Sequence, residues 1–530
     1  MTPEVQREFS GDKSRNQRWS VLLWATSAVF GLCYVVSSVH AAIKNPLWMD
    51  EVLTVWLMRM PSVRQMYAAV LRGAQSTTPV YPALLHWYSK VAGQSHLALR
   101  LPSLFAVLAT ALIVFIILRR HLGRAPALFA SCLLLESLSP FGIQVRPYAL
   151  VTVCFASALL CWDNYNLRPS RKQAILIGFL LAAAVILHFY AVLLVPAFGL
   201  MECLRMIHTR RFRLELWFAL FLAGASIFVW LPLIRATSHL VGLDIAESYA
   251  YGAMPTWSLL VSTYAYLFQG WGNLHLIGGL GMNGLILLFM LAVLPFGKLA
   301  EKRWGEVRLG NVGAVGSQEA RVDDFWALVL GSLLAPILIF LFAMLVTKSF
   351  NLRYVLVGAI GASALLAEVL GSFAAFDKIL PAGLLAAAIF TTIWGVPSMK
   401  YFHNAPLYNA MPGSAPIVEA DGSQFFQLEE SAPSAFRSRL EYLVVPANVP
   451  VADAMNQHVI QRWKLVNPAL PVEDMSRFLA GNGRFYVLDQ HTTDDTPAAY
   501  LLAQHKIALW KTISGANIYK SVPQGPGTQW

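Results

Sequence analysis

The stretch Trp48-Met49-Asp50-Glu51 follows the apolar run 19–40 and precedes a second apolar, helix-like segment, 52–60. Charge held that close to hydrocarbon is expensive, so two adjacent carboxylates at the end of such a run mark a membrane edge and call for a task there. The run is too long for a signal-peptide core. It is preceded by the polar, basic residues 1–18 and has no small-residue cleavage pattern after it, so it reads as a retained signal-anchor helix.

Composition extends this reading to the whole chain. The 530 residues are 57% hydrophobic and 13% charged, with a mean hydropathy of +0.54, whereas a soluble domain carries roughly a quarter charged residues. An ordinary soluble enzyme is excluded. The apolar residues gather in runs of roughly 15 to 22, close to the ~20 needed to cross hydrocarbon as a helix. Hydropathy gives about eleven such spans: 19–40, 97–118, 125–141, 147–162, 173–187, 190–204, 216–233, 276–296, 325–346, 354–373 and 379–394. The fold class expected is therefore an α-helical polytopic membrane protein. The formal charge of +11 is spread between the runs rather than along one stripe, so membrane topology accounts for it and no nucleic-acid partner is expected. The five cysteines, Cys33, Cys132, Cys154, Cys161 and Cys203, lie in or beside apolar runs without metal-type spacing and read as small packing residues.

Positive charge sets the orientation. With residues 1–18 in the cytoplasm, the inner loops receive Arg119, Arg120 and Arg124, then Arg168, Arg171 and Lys172, then Arg205, Arg210, Arg211 and Arg213, then Lys298, Lys302, Arg303, Arg308 and Arg321. The outer connections hold isolated cations such as Arg146, Arg235, Lys348 and Arg353. An odd number of spans then leaves the C-terminus outside, in a bacterial inner-membrane arrangement. Three domains follow: a cytoplasmic segment 1–18, a transmembrane domain 19–397 that includes the outer loop 41–96, and an extracytoplasmic α/β domain 398–530. Within the outer loop, Pro61-Ser62 reads as a helix start, and the segment through Leu71 is suited to lie along the membrane surface. The outer segment 235–275 is rich in aromatics (Tyr249, Tyr251, Trp257, Tyr264, Tyr266, Trp271) and reads either as a lid over an acyl chain or as an aromatic belt. The loop 310–318 reads as a flexible linker. In the last domain 442–445 and 484–488 read as strands, 451–463 as a helix, and 507–522 as a hairpin turning near Gly515-Ala516.

Neighbouring helical side chains diverge by about 100°, so Asp50 and Glu51 cannot both point at one atom and should have different roles. Moving a sugar from a phosphate carrier to an alcohol requires deprotonating a poor nucleophile, while phosphate leaves without an acid. Asp50 is the candidate base; Glu51 would brace it, bind sugar hydroxyls or help hold a divalent cation, the one cofactor that these acids suggest. Alternatively, the pair is a solvated helix start, favourable to the dipole.

The rest of the pattern resembles bacterial members of the GT-C superfamily of membrane glycosyltransferases, which includes protein O-mannosyltransferases, the lipid A aminoarabinose transferase and lipopolysaccharide core galacturonosyltransferases. The matching stretches are Trp48-Met49-Asp50-Glu51, then Thr77-Thr78-Pro79-Val80-Tyr81-Pro82-Ala83-Leu84-Leu85, then Gln144-Val145-Arg146-Pro147-Tyr148-Ala149-Leu150, then Leu187-His188-Phe189-Tyr190, and finally Asn351-Leu352-Arg353-Tyr354. Their order and common outer side carry the resemblance. It implies that Asp50 is the catalytic acid and that Arg146, His188 and Arg353 surround the donor phosphate and sugar, with Tyr148, Tyr190 and Tyr354 beside them. Two departures, Thr77-Thr78-Pro79 for the His-Pro-Pro of many relatives and Gln144 for the acid that many carry there, put a metal site built from those positions in doubt and leave the acid–base reading of Asp50 intact.

The same residues have physical grounds. A guanidinium grips phosphate with two bonds, and Arg353 at an outer helix start would add to the dipole; Lys348 supplies a second cation, or both snorkel to headgroups. Arg146 before Pro147 faces phosphate or caps a loop. His188 is a donor-site group or a satisfied buried histidine. Glu136, an acid inside the span 125–141, should face a cavity or a cation and is a candidate for the acid missing at Gln144. Glu202 and Glu368, nearer the inner surface, should pair with inner-loop cations. The function expected is transfer of a sugar from a polyprenyl-phosphate donor to an extracytoplasmic lipid, glycan or protein acceptor. The alternatives are a glycan ligase using a diphosphate lipid, and a transporter or lipid flippase, although no internal repeat is visible.

Overall fold

The computed structural model describes residues 3–247, 253–269, 315–371, 376–394, 405–446, 449, 454–490 and 497–522. Every expected span within them falls mainly on helix, 354–373 from Gly358 onward; the span 276–296 lies outside them, as do Tyr249, Tyr251 and Trp271. Among the described residues six helices are long and apolar enough to cross a membrane: Ser20–Lys44, His96–His121, Arg124–Gly142, Phe189–Ile207, Leu214–Glu247 and Asp324–Thr347. The chain is a multi-pass membrane protein. It divides into two compact units, one built from Met1–Ala42, Arg100–Phe228 and Pro255–Met399, the other from Ile43–Leu99, Val229–Met254 and Lys400–Trp530.

The first unit is helical. The helices Tyr148–Leu167 and Arg171–Leu187 are joined by a short turn and pack side by side, as short connections dictate. Small residues let backbones close on one another in lipid. A Cβ on Gly178 would stand 3.0 Å from the Ala219 carbonyl oxygen, and one on Gly361 would stand 2.9 Å from the Val329 carbonyl oxygen. At one end of the bundle the fully buried Glu202 accepts from Arg205 Nε at 2.9 Å and from Trp162 Nε1 at 3.0 Å, with Arg213 at 3.9 Å. This is the pairing expected for Glu202, and it leaves the buried carboxylate compensated. The long helix Val315–Phe342 passes into a π-helical turn, Ala343–Thr347, and stops at Lys348, which has a left-handed φ of 52°. The expected linker 310–318 is thus helical from Val315 onward; its earlier part lies outside the described residues. The span expected from Tyr354 instead begins at Gly358, because Asn351 caps a separate 3-10 turn, Leu352–Tyr354, accepting from the Arg353 N–H at 3.2 Å.

The second unit gathers three pieces that are distant in sequence. Its sheet has the order β3-β2-β1-β4-β6-β5, with β1 (Ile417–Glu419), β2 (Leu440–Val444), β3 (Val472–Asp474) and β4 (Tyr486–Asp489) parallel, and β6 (Ala516–Ser521) antiparallel to β4 and to β5 (Ile507–Ile513). Strands β1 and β4 are buried at every position, the mark of a parallel sheet covered on both faces. The β5–β6 hairpin turns through Ser514 and Gly515, at φ 53° and 84°; two successive left-handed residues suit the twist of the strands. The strands expected at 442–445 and 484–488, the helix and the hairpin are all present, while β1 and β3 were not foreseen. Sequence residues 451–453 of the expected helix lie outside the described residues.

Aromatic and ionic contacts bind these pieces. The Trp56 ring meets Phe426 and Trp463 edge-on at 5.4 and 5.2 Å, and its Nε1 donates to Glu430 at 2.8 Å; Arg59 donates to the same carboxylate. Trp463 donates to the Ala74 carbonyl at 2.8 Å. Beside it, Gly73 has φ +79°, and a Cβ there would lie 2.6 Å from Leu240 Cδ1 and 2.9 Å from Arg462 Cδ. Only glycine fits. Asp244, on the helix Leu231–Glu247, is buried and accepts two bonds from Arg462, at 3.0 and 2.6 Å, and one from His458 Nδ1 at 2.7 Å. The other ring nitrogen of His458 lies 3.0 Å from Glu247. With a carboxylate at each nitrogen both must donate, so the imidazolium form is favoured. The bond to Asp244 accordingly raises the His458 pKa above its ordinary 6.5 against the opposing effect of burial.

A pKa raised on folding contributes stability that is whole below the ordinary histidine value and is lost as pH rises through the raised one. His458→Gln should therefore lower the melting temperature of the detergent-solubilised chain at pH 5.5, through a loss of about 1 kcal/mol, and should melt closer to the native chain at pH 9. An equal gap at both pH values would contradict the ionic reading.

Candidate active site

The residues singled out in the sequence fall into two groups, one in each unit. In the second unit Asp50 and Glu51 open the helix Met49–Met58. The preceding Trp48 has no side-chain oxygen to cap it, and Glu51 supplies the substitute: its carboxylate accepts from the Trp48 backbone N–H at 3.1 Å while its side chain is fully buried. This is the reach-back half of a capping box, with the acid also favourable to the helix dipole. Asp50, one residue earlier, is half-buried. The two acids therefore point apart. Thr54 Oγ1 donates to the Asp50 carbonyl at 2.8 Å, and Gln75 Nε2 donates to the same carbonyl at 3.2 Å and to Thr54 Oγ1 at 3.1 Å. Next along, Ser62 caps the helix Val63–Leu71 as expected, accepting from the Gln65 N–H at 3.3 Å. An open apolar cleft of about 470 Å³ runs between Val63, Tyr67, Val80, Leu84, Trp87 and Trp230, with Arg64 on its wall.

In the first unit three separate stretches bring cations and rings together. Arg146, buried in the turn before the helix Tyr148–Leu167, donates to the Tyr148 hydroxyl at 2.9 Å and lies 5.3 Å over that ring. Its backbone is fixed by Ser103, whose hydroxyl donates to the Arg146 carbonyl at 3.2 Å. Arg353 lies 5.6 Å from the same Tyr148 ring and 5.6 Å from that of Tyr354. Tyr354 stacks on Tyr190 at 4.3 Å with the planes 3° apart. His188, extended at the end of the helix Arg171–Leu187 and buried, packs its ring 5.3 Å from Tyr148, 5.8 Å from Tyr354 and 5.9 Å from Tyr190. Cation–π contact of this kind contributes ~0.5–2 kcal/mol and keeps a guanidinium charged away from bulk water. Two such groups side by side repel each other and favour an anion between them.

Arg146, Tyr148, His188, Tyr190, Arg353 and Tyr354 thus form one cluster. Lys348 does not share these ring contacts: it is exposed and its ammonium donates to the Met344 carbonyl, closing the end of its own helix. Glu136 is buried in the helix Arg124–Gly142 and accepts from Thr391 Oγ1 at 3.1 Å. Gln144, where relatives carry an acid, is also buried, and neither end of its amide has a hydrogen-bond partner among the described residues. Arg353 lies in the 3-10 turn ahead of the helix at Gly358 rather than at the helix start, so its guanidinium and not the dipole is the relevant charge. Tyr264 and Tyr266 donate to the carbonyls of Leu333 and Ser137, and Trp257 packs 5.0 Å from Phe340, so these aromatics of the outer segment are tied to helices. Among the described residues no group of three or more His, Cys, Asp or Glu is placed to hold a metal ion. The sequence reading missed Thr54 and Gln75 because their contact with Asp50 joins positions 25 apart without any periodic signal.

Residues 76–235 match the family described as dolichyl-phosphate-mannose-protein mannosyltransferase. Over these residues the chain is similar to that family of mannosyltransferases. No curated protein matches the chain. Similar solved structures include ArnT from Cupriavidus metallidurans in the apo state, at 14% identity over 96% of this chain and 98% of that one, with a TM-score of 0.40. ArnT from the same organism bound to undecaprenyl phosphate aligns at 13% identity over 96% and 99%, with a TM-score of 0.42. The oligosaccharyltransferase of Archaeoglobus fulgidus in complex with Zn and sulfate aligns at 13% identity over 94% of this chain and 72% of that one, with a TM-score of 0.43.

Glu51 as a reciprocal cap makes a specific demand. Glu51→Ala should cost about 1 kcal/mol of stability, and Glu51→Gln, which keeps the acceptor oxygen, should retain most of it. Thermal melting of both variants checks this; equal losses would show that the charge and not the cap is what matters.

Proposed function

We propose that the chain transfers a sugar from a polyprenyl-phosphate donor to an acceptor hydroxyl outside the cytoplasm, by a single inverting displacement with Asp50 as general base. The observation that carries this is the convergence of Arg146, Arg353, Tyr148, His188, Tyr190 and Tyr354 from three stretches of one membrane-spanning unit. Two guanidiniums bind a phosphate monoanion bidentately, and stacked tyrosines offer a face for a sugar ring or an isoprenoid. The family match over residues 76–235, which contain four members of that cluster, supports the reading. The orientation with residues 1–18 in the cytoplasm and the C-terminal domain outside, in the inner membrane, belongs to the same proposal and rests on the distribution of arginine and lysine.

The chemistry assigned to these residues balances simply. Asp50 accepts the proton of the acceptor hydroxyl as its oxygen forms a bond to the anomeric carbon. The bond from that carbon to the phosphate oxygen breaks, and polyprenyl phosphate leaves with the electron pair. Arg146 and Arg353 stabilise the charge that accumulates on the phosphate, an interaction stronger in the transition state than in the ground state and so of use to the rate. His188 orients the phosphate or a sugar hydroxyl. The apolar cleft beside Trp87 and Trp230 is of a kind that holds an alkyl chain.

Transfer of radiolabel from a panel of polyprenyl-phosphate sugars tests this, in membranes of a strain lacking the protein and complemented by the native chain or by Asp50→Asn at equal expression. Product with the native chain and a loss of at least 100-fold with Asp50→Asn are expected; a general base contributes typically 10²–10⁴-fold. Arg353→Gln should raise KM for the donor about tenfold or more, the equivalent of ~1.4 kcal/mol. Equal labelling by native and Asp50→Asn chains would overturn the role of Asp50. No transfer from any monophosphate donor would favour the diphosphate-lipid ligase.

A further inference from the structure

The helix that presents Asp50 begins without a side-chain N-cap, and its first turn is held by two other contacts. One is the Glu51 reach-back to Trp48. The other is a closed polar ring: Thr54 Oγ1 donates to the Asp50 carbonyl at 2.8 Å, Gln75 Nε2 donates to that carbonyl at 3.2 Å, and Gln75 Nε2 donates to Thr54 Oγ1 at 3.1 Å. The Asp50 carbonyl thus takes two side-chain donors. Thr54 and Gln75 are 1% and 4% exposed, and their apolar neighbours Val52, Leu53 and Val55 are buried with them. In such surroundings each of these bonds is stronger than in water and expensive to lose. Of the two donors, Thr54 lies within the helix itself and turns with it. Gln75 comes from outside the helix, in the non-helical stretch before Pro79, and ties residue 50 to another point of the same unit.

We infer that Gln75 is a positioning residue for Asp50, setting the rotation of the first helical turn and thereby the direction of the Asp50 carboxylate, with Thr54 as the second member of the ring. The inference rests on the reading of Asp50 as base and goes beyond it by naming what aims the base. A reacting group displaced by about 1 Å loses on the order of 10²-fold in rate even when binding is intact. Removal of the amide should therefore act on turnover and spare donor affinity. Because two of the three bonds meet on one carbonyl and the third joins their donors, breaking the ring at either side chain should release it, so the two deletions should not add.

The experiment is a double-mutant cycle in the full chain with the polyprenyl-phosphate sugar that the native chain turns over: native, Gln75→Leu, Thr54→Val and the double variant, with Asp50→Asn alongside. Gln75→Leu is expected to lower kcat by 10- to 100-fold with KM for the donor within twofold of native, and the double variant to fall no more than about threefold below it. Melting temperatures measured on the same preparations separate turnover from folding. A Gln75→Leu chain that melts early but turns over at the native rate would overturn the inference, as would a double variant whose loss equals the product of the single losses. Native activity retained by Asp50→Asn would instead sink the underlying reading of Asp50, so the two failures are distinguishable.

Discussion

Charge placed beside hydrocarbon must be matched, and the guanidinium groups of Arg146 and Arg353 are matched here by a shared aromatic ring. Tyr148 takes a hydrogen bond on its hydroxyl from one and lies under both. The ring satisfies part of each cation without neutralising it, which an acid would do. The buried pair of Glu202 and Arg205 is the contrast: there a carboxylate closes the charge and the arrangement is structural. An arginine pair held by rings and by the Ser103 bond to the Arg146 backbone concentrates positive charge at one place. The rest of the helical unit holds three stretches in register around that ring.

The second unit answers a different constraint, that of fixing a short helix on which the candidate base stands. Isolated helices of ten residues are marginal, and Met49–Met58 has no side-chain cap. Its order comes from tertiary contacts: Trp56 held between Phe426 and Trp463, Arg59 and Trp56 on Glu430, and Gln75 on Asp50. The C-terminal α/β domain therefore has a concrete structural role, since two of its helices supply the partners of Trp56. The Asp244, His458 and Arg462 contacts extend this to the helix Leu231–Glu247.

Much of this was legible in the sequence, and the limits have physical causes. Spans of apolar residues report directly on helices because bilayer thickness sets their length, and Ser62, Gly515 and the run before Asp50 announced themselves by local chemistry. The aromatic and cationic cluster was legible because its members lie at helix ends in recognisable stretches. What escaped was fixed at long range. The start of the helix at Gly358 rather than Tyr354 depends on the Asn351 cap, and strand β1 is too short to show alternation. For Glu51, expected to brace Asp50, bind sugar hydroxyls or help hold a cation, with a helix start as the alternative, the cap on the Trp48 N–H was not legible, because Trp48 offers no capping signal of its own.

The central claim is that Asp50 activates the acceptor for one direct displacement. Single displacement inverts the anomeric carbon, and a covalent sugar–enzyme intermediate would retain its configuration. The most direct measurement is the anomeric configuration of the product by proton NMR, starting from a polyprenyl-phosphate sugar of known configuration. Inversion is the predicted result. Retention would contradict a single displacement and would make Asp50, or another carboxylate, a nucleophile.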